Sequence, residues 1–286
     1  MTVSDELAPK NSVRAVLGID AAWTLGQPSG VALAKNVGSG WQLVAVAPSY
    51  EQFNALAQKK QASPGPLTGS RPSAVELLSS CEALAGCRAD LVAIDMPLSR
   101  EPITARRESD NMVSREYGGR KCGTHTPSEK RPGSISDILR DEFQLAGYAL
   151  QTESIVYQGL IEVYPHPALV EIFSASERLP YKLAKLRSYW PNSSVGERRA
   201  KVIGKWKEIV TRLDNEIAGV SSALGNPPAN TKVVYLKAYE DMIDAVVCAW
   251  VAICALEGKA VPFGDEKSAI WIPKGVQIDS PKFSAV

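Results

Sequence analysis

The feature that most constrains this chain is the segment Asp241 to Leu256, DMIDAVVCAWVAICAL. From Ala245 to Ile253 every residue is apolar or cysteine. A helix that is apolar all round is buried, so the strongest predicted helix, about Tyr235 to Glu257, must run through the interior. The apolar stretch is too short to span a bilayer, and Asp241 and Asp244 precede it. These two acids are three residues apart and share a helix face. Acids in the first turn of a helix gain only roughly 0.3–1 kcal/mol from the helix dipole. That explains one acid better than an acid placed immediately before a buried apolar run.

The first third of the chain reads as strands. Ala15 to Asp20, Gly30 to Ala34 and Trp41 to Ala47 are apolar runs separated by Gly26, Pro28, Gly38 and Gly40, which suit turns. Short connections predict an antiparallel meander. After a helical rhythm over Ser73 to Ala85 comes Leu91 to Ile94, a strand placed to lie parallel to an earlier one. Residues 99–133 lack periodicity and read as a long, partly helical excursion. Loops of that length are commonly functional or mobile. Ile135 to Leu150 is predicted helical and Leu160 to Tyr164 is a fifth strand, ended by Pro165 and Pro167. A basic helical segment covers about 178–218, and Ala269 to Ile272 could add an edge strand. The whole is predicted to be one α/β domain over 1–286.

Asp20 and Asp95 hold the same local position, each directly after a buried strand. In open α/β sheets, ligands bind outside the carboxyl ends of strands. Asp also favours ordinary turns. If the two strands are parallel neighbours, however, the carboxylates stand close together and repel, and a divalent cation relieves that. Replacing one member of such a cluster by its amide is expected to leave metal-free stability equal or higher.

Two strand-end carboxylates with a helix pair resemble the acidic cluster of ribonuclease H-like nucleases, most nearly the Holliday-junction-resolvase type. The strings GIDAAW, SGVALA, VAIDMPL, EVYPHPAL and DMIDAVVCAWVA, spanning residues 18–252, resemble the family called domain of unknown function 429, predicted ribonuclease H-like nucleases. The resemblance implies a mixed five-stranded sheet of order 3-2-1-4-5 with flanking helices. It also implies hydrolysis of phosphodiesters with two Mg²⁺ or Mn²⁺ ions. Asp20, Asp95, Asp241, Asp244 and Glu162 are then the catalytic candidates. Asp20 would bridge the ions, and Asp95 and Asp244 would each hold one. Hard cations take oxygen ligands, which fits these acids.

Glu162 lies on the strand face opposite Ile161 and Val163, where it orients a ligand, pairs with an arginine of the excursion or faces solvent. His166, between two prolines, is expected to be extended and structural. With two histidines and no C-x-x-C pair, a zinc site is poorly supported. The five cysteines read as free thiols.

The net charge is +1, so a nucleic-acid partner must be met by local basic patches. Arg106, Arg107 and Arg115 of the excursion, and Lys201 and Lys205 of the later helical stretch, are the candidate substrate contacts. Tyr181, Tyr189, Trp190 and Trp206 are interleaved with the latter stretch. Basic groups for phosphates with aromatics for bases suit single strands, whereas a solvated helix face with inward aromatics would look the same. The alternatives to a nuclease are a non-catalytic nucleic-acid-binding module and an actin-like phosphotransferase. No G-x-G-x-x-G or G-x-x-x-x-G-K phosphate loop supports the latter. The polar N-terminal stretch Met1 to Lys10 has no signal-peptide pattern, which predicts a cytoplasmic protein without a membrane partner.

Overall fold

The computed structural model describes residues 14–60 and 67–274; the polar stretch Met1 to Lys10 lies outside the described residues. Three strands open the fold: β1 (Ala15–Asp20), β2 (Gly30–Asn36) and β3 (Trp41–Ala47). They form the antiparallel meander that the short connections require. Helix α1 (Tyr50–Ala57) follows, with the Ser49 hydroxyl accepting from the Gln52 amide at 3.2 Å. Helix α2 (Ala74–Ala85) starts on Ser73 in the same way and ends on Gly86 at φ 73°, a left-handed cap suited to glycine.

Strand β4 (Leu91–Ile94) then runs parallel to β1. The excursion contains α3 (Glu108–Tyr117), and α4 (Ser134–Leu145) leads into the short β5 (Ala149–Leu150) and into β6 (Gly159–Val163), parallel to β4. Next come α5 (Pro165–Ile172), a 3-10 turn at Leu183–Lys185, α6 (Leu186–Tyr189), α7 (Val195–Asp214), β7 (Ile217–Ala218) and α8 (Val220–Leu224). The described residues close with the long α9 (Val233–Leu256), β8 (Ala260–Gly264) and β9 (Ala269–Pro273).

Among the described residues the sheet has nine strands, in the order β7-β3-β2-β1-β4-β6-β9-β8 with β5 beside β6. This corrects the expected five-stranded sheet of order 3-2-1-4-5. Strands too short to show a pattern, β5 and β7, escape any reading of periodicity, and β8 contains Pro262, which argues against a strand except at an edge. Ala269–Pro273 is not an edge strand either, because it lies between β6 and β8. Pro165 does end β6, but it opens a helix at the position where proline's fixed φ and missing N–H cost nothing. His166 is therefore helical rather than extended.

Alternation along the central strands sorts their side chains onto two buried faces. Val16, Leu91, Ala93, Ile161 and Val163 pack towards α9 and α7. Leu17, Ile19, Val92, Ile94 and Leu160 pack against α1, α2 and α4 through Phe53, Leu77, Cys81, Leu139 and Phe143. The central strands thus have no solvent face, as expected of parallel strands covered by helices on both sides. Helix α9 lies across β1, β2 and β4 and is buried from Ile243 to Ala255. The five cysteines are free thiols. Among the described residues, no helix is long and apolar enough to cross a membrane.

Candidate active site

Asp20 and Asp95 lie at the same end of β1 and β4, which are adjacent and parallel, with Ile19 paired to Ile94. The Asp95 amide donates to the Ile19 carbonyl at 2.9 Å, which fixes the two strand ends together. Asp20 has the parity of Val16 and Gly18, and Asp95 that of Leu91 and Ala93, so both belong to the α9 face of the sheet.

Two glycines let α9 come down onto these strand ends. A Cβ at Gly18 would stand under 3.0 Å from the carbonyl oxygen of Ala245 and the amide of Ala249. A Cβ at Gly30 would meet the Asp241 backbone in the same way. With both absent, oxygens of Asp20, Asp241 and Asp244 lie within 4.8 Å of one another.

The cluster carries its own cations. Lys182 pairs with Asp244, and lies 3.6 Å from Glu240. Lys237 pairs with Asp241 one helical turn on, and with Glu240 at 3.0 Å. The Tyr181 hydroxyl donates to the other Asp244 oxygen at 2.7 Å, and the Leu183 amide donates to Glu240 at 2.6 Å. Trp206 of α7 donates from its indole N–H to the Tyr181 carbonyl at 2.8 Å. Residues 181–183 are thereby clamped to α9 by its own acids.

Asp20 and Asp95 make no side-chain hydrogen bond or ion pair among the described residues. Burial, reinforced by Asp241 and Asp244, pushes the Asp20 carboxyl well above the usual carboxylate range. Burial, with Asp244 and Glu162 adding to it and Lys182 opposing, pushes Asp95 up to about 7. Burial also raises Asp241, against the pull of Lys237. Burial works against the charge of Lys182, but Asp244 and its neighbours more than offset this and hold its ammonium well above the usual range.

A cavity of about 560 Å³ opens on this cluster. Asp20, Asp95, Asp241, Lys182 and Lys237 line it, together with Trp23, Gln27, Pro28, His125, Thr126 and Arg131 among others. The excursion therefore contributes a wall of the site through His125, Thr126 and Arg131.

Several expected site residues lie elsewhere. Glu162 has the parity of Leu160, so it faces the other side of the sheet, away from the acidic cluster. It is buried and bound by Arg107 at 2.5 and 2.8 Å, and it accepts from the Leu98 amide at 2.7 Å. Arg107 also binds Asp110 at 3.0 Å and the Leu98 carbonyl at 2.7 Å. Its place as a substrate contact is thus corrected: a buried guanidinium with these partners has no donor left for a phosphate. Arg106 is bound within the excursion, to Asn111, the Asp110 carbonyl and Ser114 at 2.8, 2.8 and 2.6 Å.

Arg115 is exposed, 3.8 Å from Glu108. Lys201 is exposed, bound to Ser193 at 2.8 Å, and Lys205 pairs with Glu208; neither lines the cavity. Tyr181 and Trp206 are fully buried, so these two aromatics are core rather than base platforms. His166 is buried, edge-on to Tyr164 and Tyr181, with Nδ1 unpartnered, and burial and Lys182 keep it neutral.

Sequence reasoning missed Lys237, Glu240, Trp23 and the role of Lys182; Arg131 was legible only as one of the basic residues of the excursion. The four-residue spacing from Lys237 to Asp241 was the one local signal for a pair on the helix surface. A search of curated proteins and a search of solved structures each returned no match. One family profile, described as "Protein of unknown function (DUF429)", matches residues 18–269, nearly the full length, and the chain belongs to that family.

Proposed function

We propose that the protein is a divalent-cation-dependent nuclease that hydrolyses phosphodiester bonds at the Asp20–Asp241–Asp244 cluster. The observation that carries this reading is the convergence of those three carboxylates within 4.8 Å, one from the end of β1 and two from α9, beside a cavity. The donor set fits a hard cation: it is all oxygen, and Asp20 and Asp95 are desolvated acids without a cationic hydrogen-bond partner of their own among the described residues. Asp20, Asp241 and Asp244 would hold Mg²⁺ or Mn²⁺, with Asp95 on the neighbouring strand end as a further candidate ligand. When bound, such ions activate a water and neutralise charge on the leaving oxygen.

The chain's own residues supply the rest. Lys182 and Lys237 reach the cavity from among the acids, where their ammoniums bind and orient a phosphate. Tyr181 and Asp244 fix the position of Lys182. Arg115, Lys201 and Lys205, outside the cavity, are in this reading the outer phosphate contacts that confer salt-dependent affinity. The meander β3-β2-β1 continued by parallel β4 and β6 supports a ribonuclease H-like ancestry for the sheet.

The test is cleavage of labelled single-stranded, duplex and branched substrates with Mn²⁺, for wild type and Asp20→Asn, alongside the melting-temperature increment produced by Mn²⁺. Cleavage and the increment should both be present in wild type and lost in Asp20→Asn. Cation-stimulated ATP hydrolysis without strand cleavage would replace this reading by a phosphotransferase. Strand binding with neither activity would leave a binding module.

A further inference from the structure

We propose that the cavity seats one nucleotide unit, its base stacked on the Trp23–Arg131 pair and its phosphate toward Asp20; this rests on the phosphodiester reading above. The volume is the first argument. About 560 Å³ is far more than a cation and a phosphate need, and it falls in the range of roughly 300–1,000 Å³ typical of small-ligand pockets. The lining is the second argument. Asp20, Asp95, Asp241, Lys182 and Lys237 line the cavity with charge, and Ala21, Ala22, Trp23 and Pro28 add apolar surface to the same lining. A ligand that fills such a cavity meets both kinds of surface, which suits a molecule carrying a charged group and a flat apolar one.

Trp23 sits only three residues beyond Asp20, so their Cα atoms are at most roughly 10 Å apart. That is the scale on which a phosphate is separated from its own base. The ring is half-buried, hence held in place, and the Arg131 guanidinium lies 5.6 Å from its centroid, within cation–π range. An indole and a planar cation held against it, with no hydrogen bond or ion pair of its own among the described residues, form a surface on which any base can stack, without reading its sequence. A base inside a duplex has both faces covered, so the unit recognised is single-stranded or extruded. The long excursion between β4 and α4 thereby acquires a purpose: it carries Arg131 over Trp23.

The experiment is fluorescence anisotropy with a short fluorescein-labelled oligothymidylate, Ca²⁺ replacing Mn²⁺. An abasic strand of the same length and free thymidine 5′-monophosphate as competitor complete the set. Trp23→Leu should weaken the oligothymidylate by about 5- to 150-fold, the range for losing one stacked base. Trp23→Phe, which keeps a ring, should retain most of the affinity and guards against a folding defect. Wild type and Trp23→Leu should bind the abasic strand equally weakly. Competition by the monophosphate identifies a free nucleotide as sufficient, and failure to compete identifies the strand; the stacking of the base stands in both cases.

Equal affinity of wild type and Trp23→Leu for the oligothymidylate overturns the proposal. So does an equal loss on the abasic strand. If wild type nevertheless cleaves with Mn²⁺, only the stacking subsite has failed. If wild type neither binds nor cleaves any strand, the phosphodiester reading has failed and the subsite with it.

Discussion

Asp20 and Gly30 are register partners across β1 and β2, and the bare backbone at Gly30 is what admits the Asp241 main chain to the carboxylate-bearing end of the strand. Gly18, two residues before Asp20, makes the same allowance for Ala245 and Ala249. The distance between sheet acid and helix acids is therefore set by two missing side chains.

Gly18→Ala should force α9 off the sheet. Overpacking of this kind typically costs about 1–3 kcal/mol. The melting temperature should fall, and the Mn²⁺ increment should shrink because Asp20 is separated from Asp241 and Asp244. An alanine variant with the wild-type increment would show that helix approach does not set the cation site.

Metal-free stability should fall as pH rises from 5 to 8. Asp20, Asp95 and Asp241 have carboxyls raised by burial, Asp95 to about 7. A raised acid binds its proton more tightly in the folded chain than in the unfolded one. Its stabilising effect is complete below the ordinary value near 4 and is lost as pH climbs through the folded value. Cations compete with those protons, so the Mn²⁺ increment should grow over the same window. Differential scanning fluorimetry across pH, with and without Mn²⁺, measures both. His166, kept neutral by burial, adds the opposite slope below about pH 6.5, so the acids are read from the difference between wild type and Asp95→Asn; identical pH profiles for the two would contradict a raised Asp95 carboxyl.

Lys182→Met should be strongly destabilising. It leaves Asp244 buried with only the Tyr181 hydroxyl, and breaking a buried pair typically costs about 3–5 kcal/mol. Adding Asp244→Asn to it should recover part of the loss, because the two residues are coupled. Urea midpoints of the single and double variants give the coupling, and a single variant as stable as wild type would remove Lys182 from this role.

Arg107→Met should lower stability by a similar amount, since Glu162 and Asp110 are left unpaired in the interior. Its folded fraction should bind nucleic acid as wild type does. A selective loss of strand affinity at full stability would return Arg107 to the substrate-binding surface.

Lys201→Ala with Lys205→Ala should flatten the salt dependence of strand binding, by roughly 0.7 in log–log slope for each phosphate that is no longer neutralised. Cation binding should be untouched. An unchanged slope would confine the electrostatic footprint to the cavity.

The strand ends and the buried helix were legible because each rests on a local pattern: Ala15–Asp20 and Leu91–Asp95 are apolar runs closed by an acid, and Ala245 to Ile253 has no polar face. The fate of Glu162 was half legible. Alternation put it opposite Ile161, but only the helices covering the far face decide that this face is dry and that Arg107 must meet it. Lys182 was legible as a charge and not as a partner, because its helical surroundings suggested a solvated face, whereas Trp206 and Asp244 draw the segment inward. The same pairing reverses an expectation. Charge repulsion alone makes Asp244→Asn neutral or stabilising, but an amide there would leave one accepting oxygen where Lys182 and Tyr181 now use two, and no negative charge beside the ammonium.

Asp20 enters with the first strand and Asp244 with the last long helix, so the three converging carboxylates do not exist until nearly the whole chain has docked. Pairings so distant in sequence form late, after the loop between them has been closed. An unfinished or nicked molecule would then have no cation affinity at this place. On the reading proposed above, Mn²⁺ binding would serve as a certificate of complete assembly, and any hydrolytic chemistry would stay silent until that point.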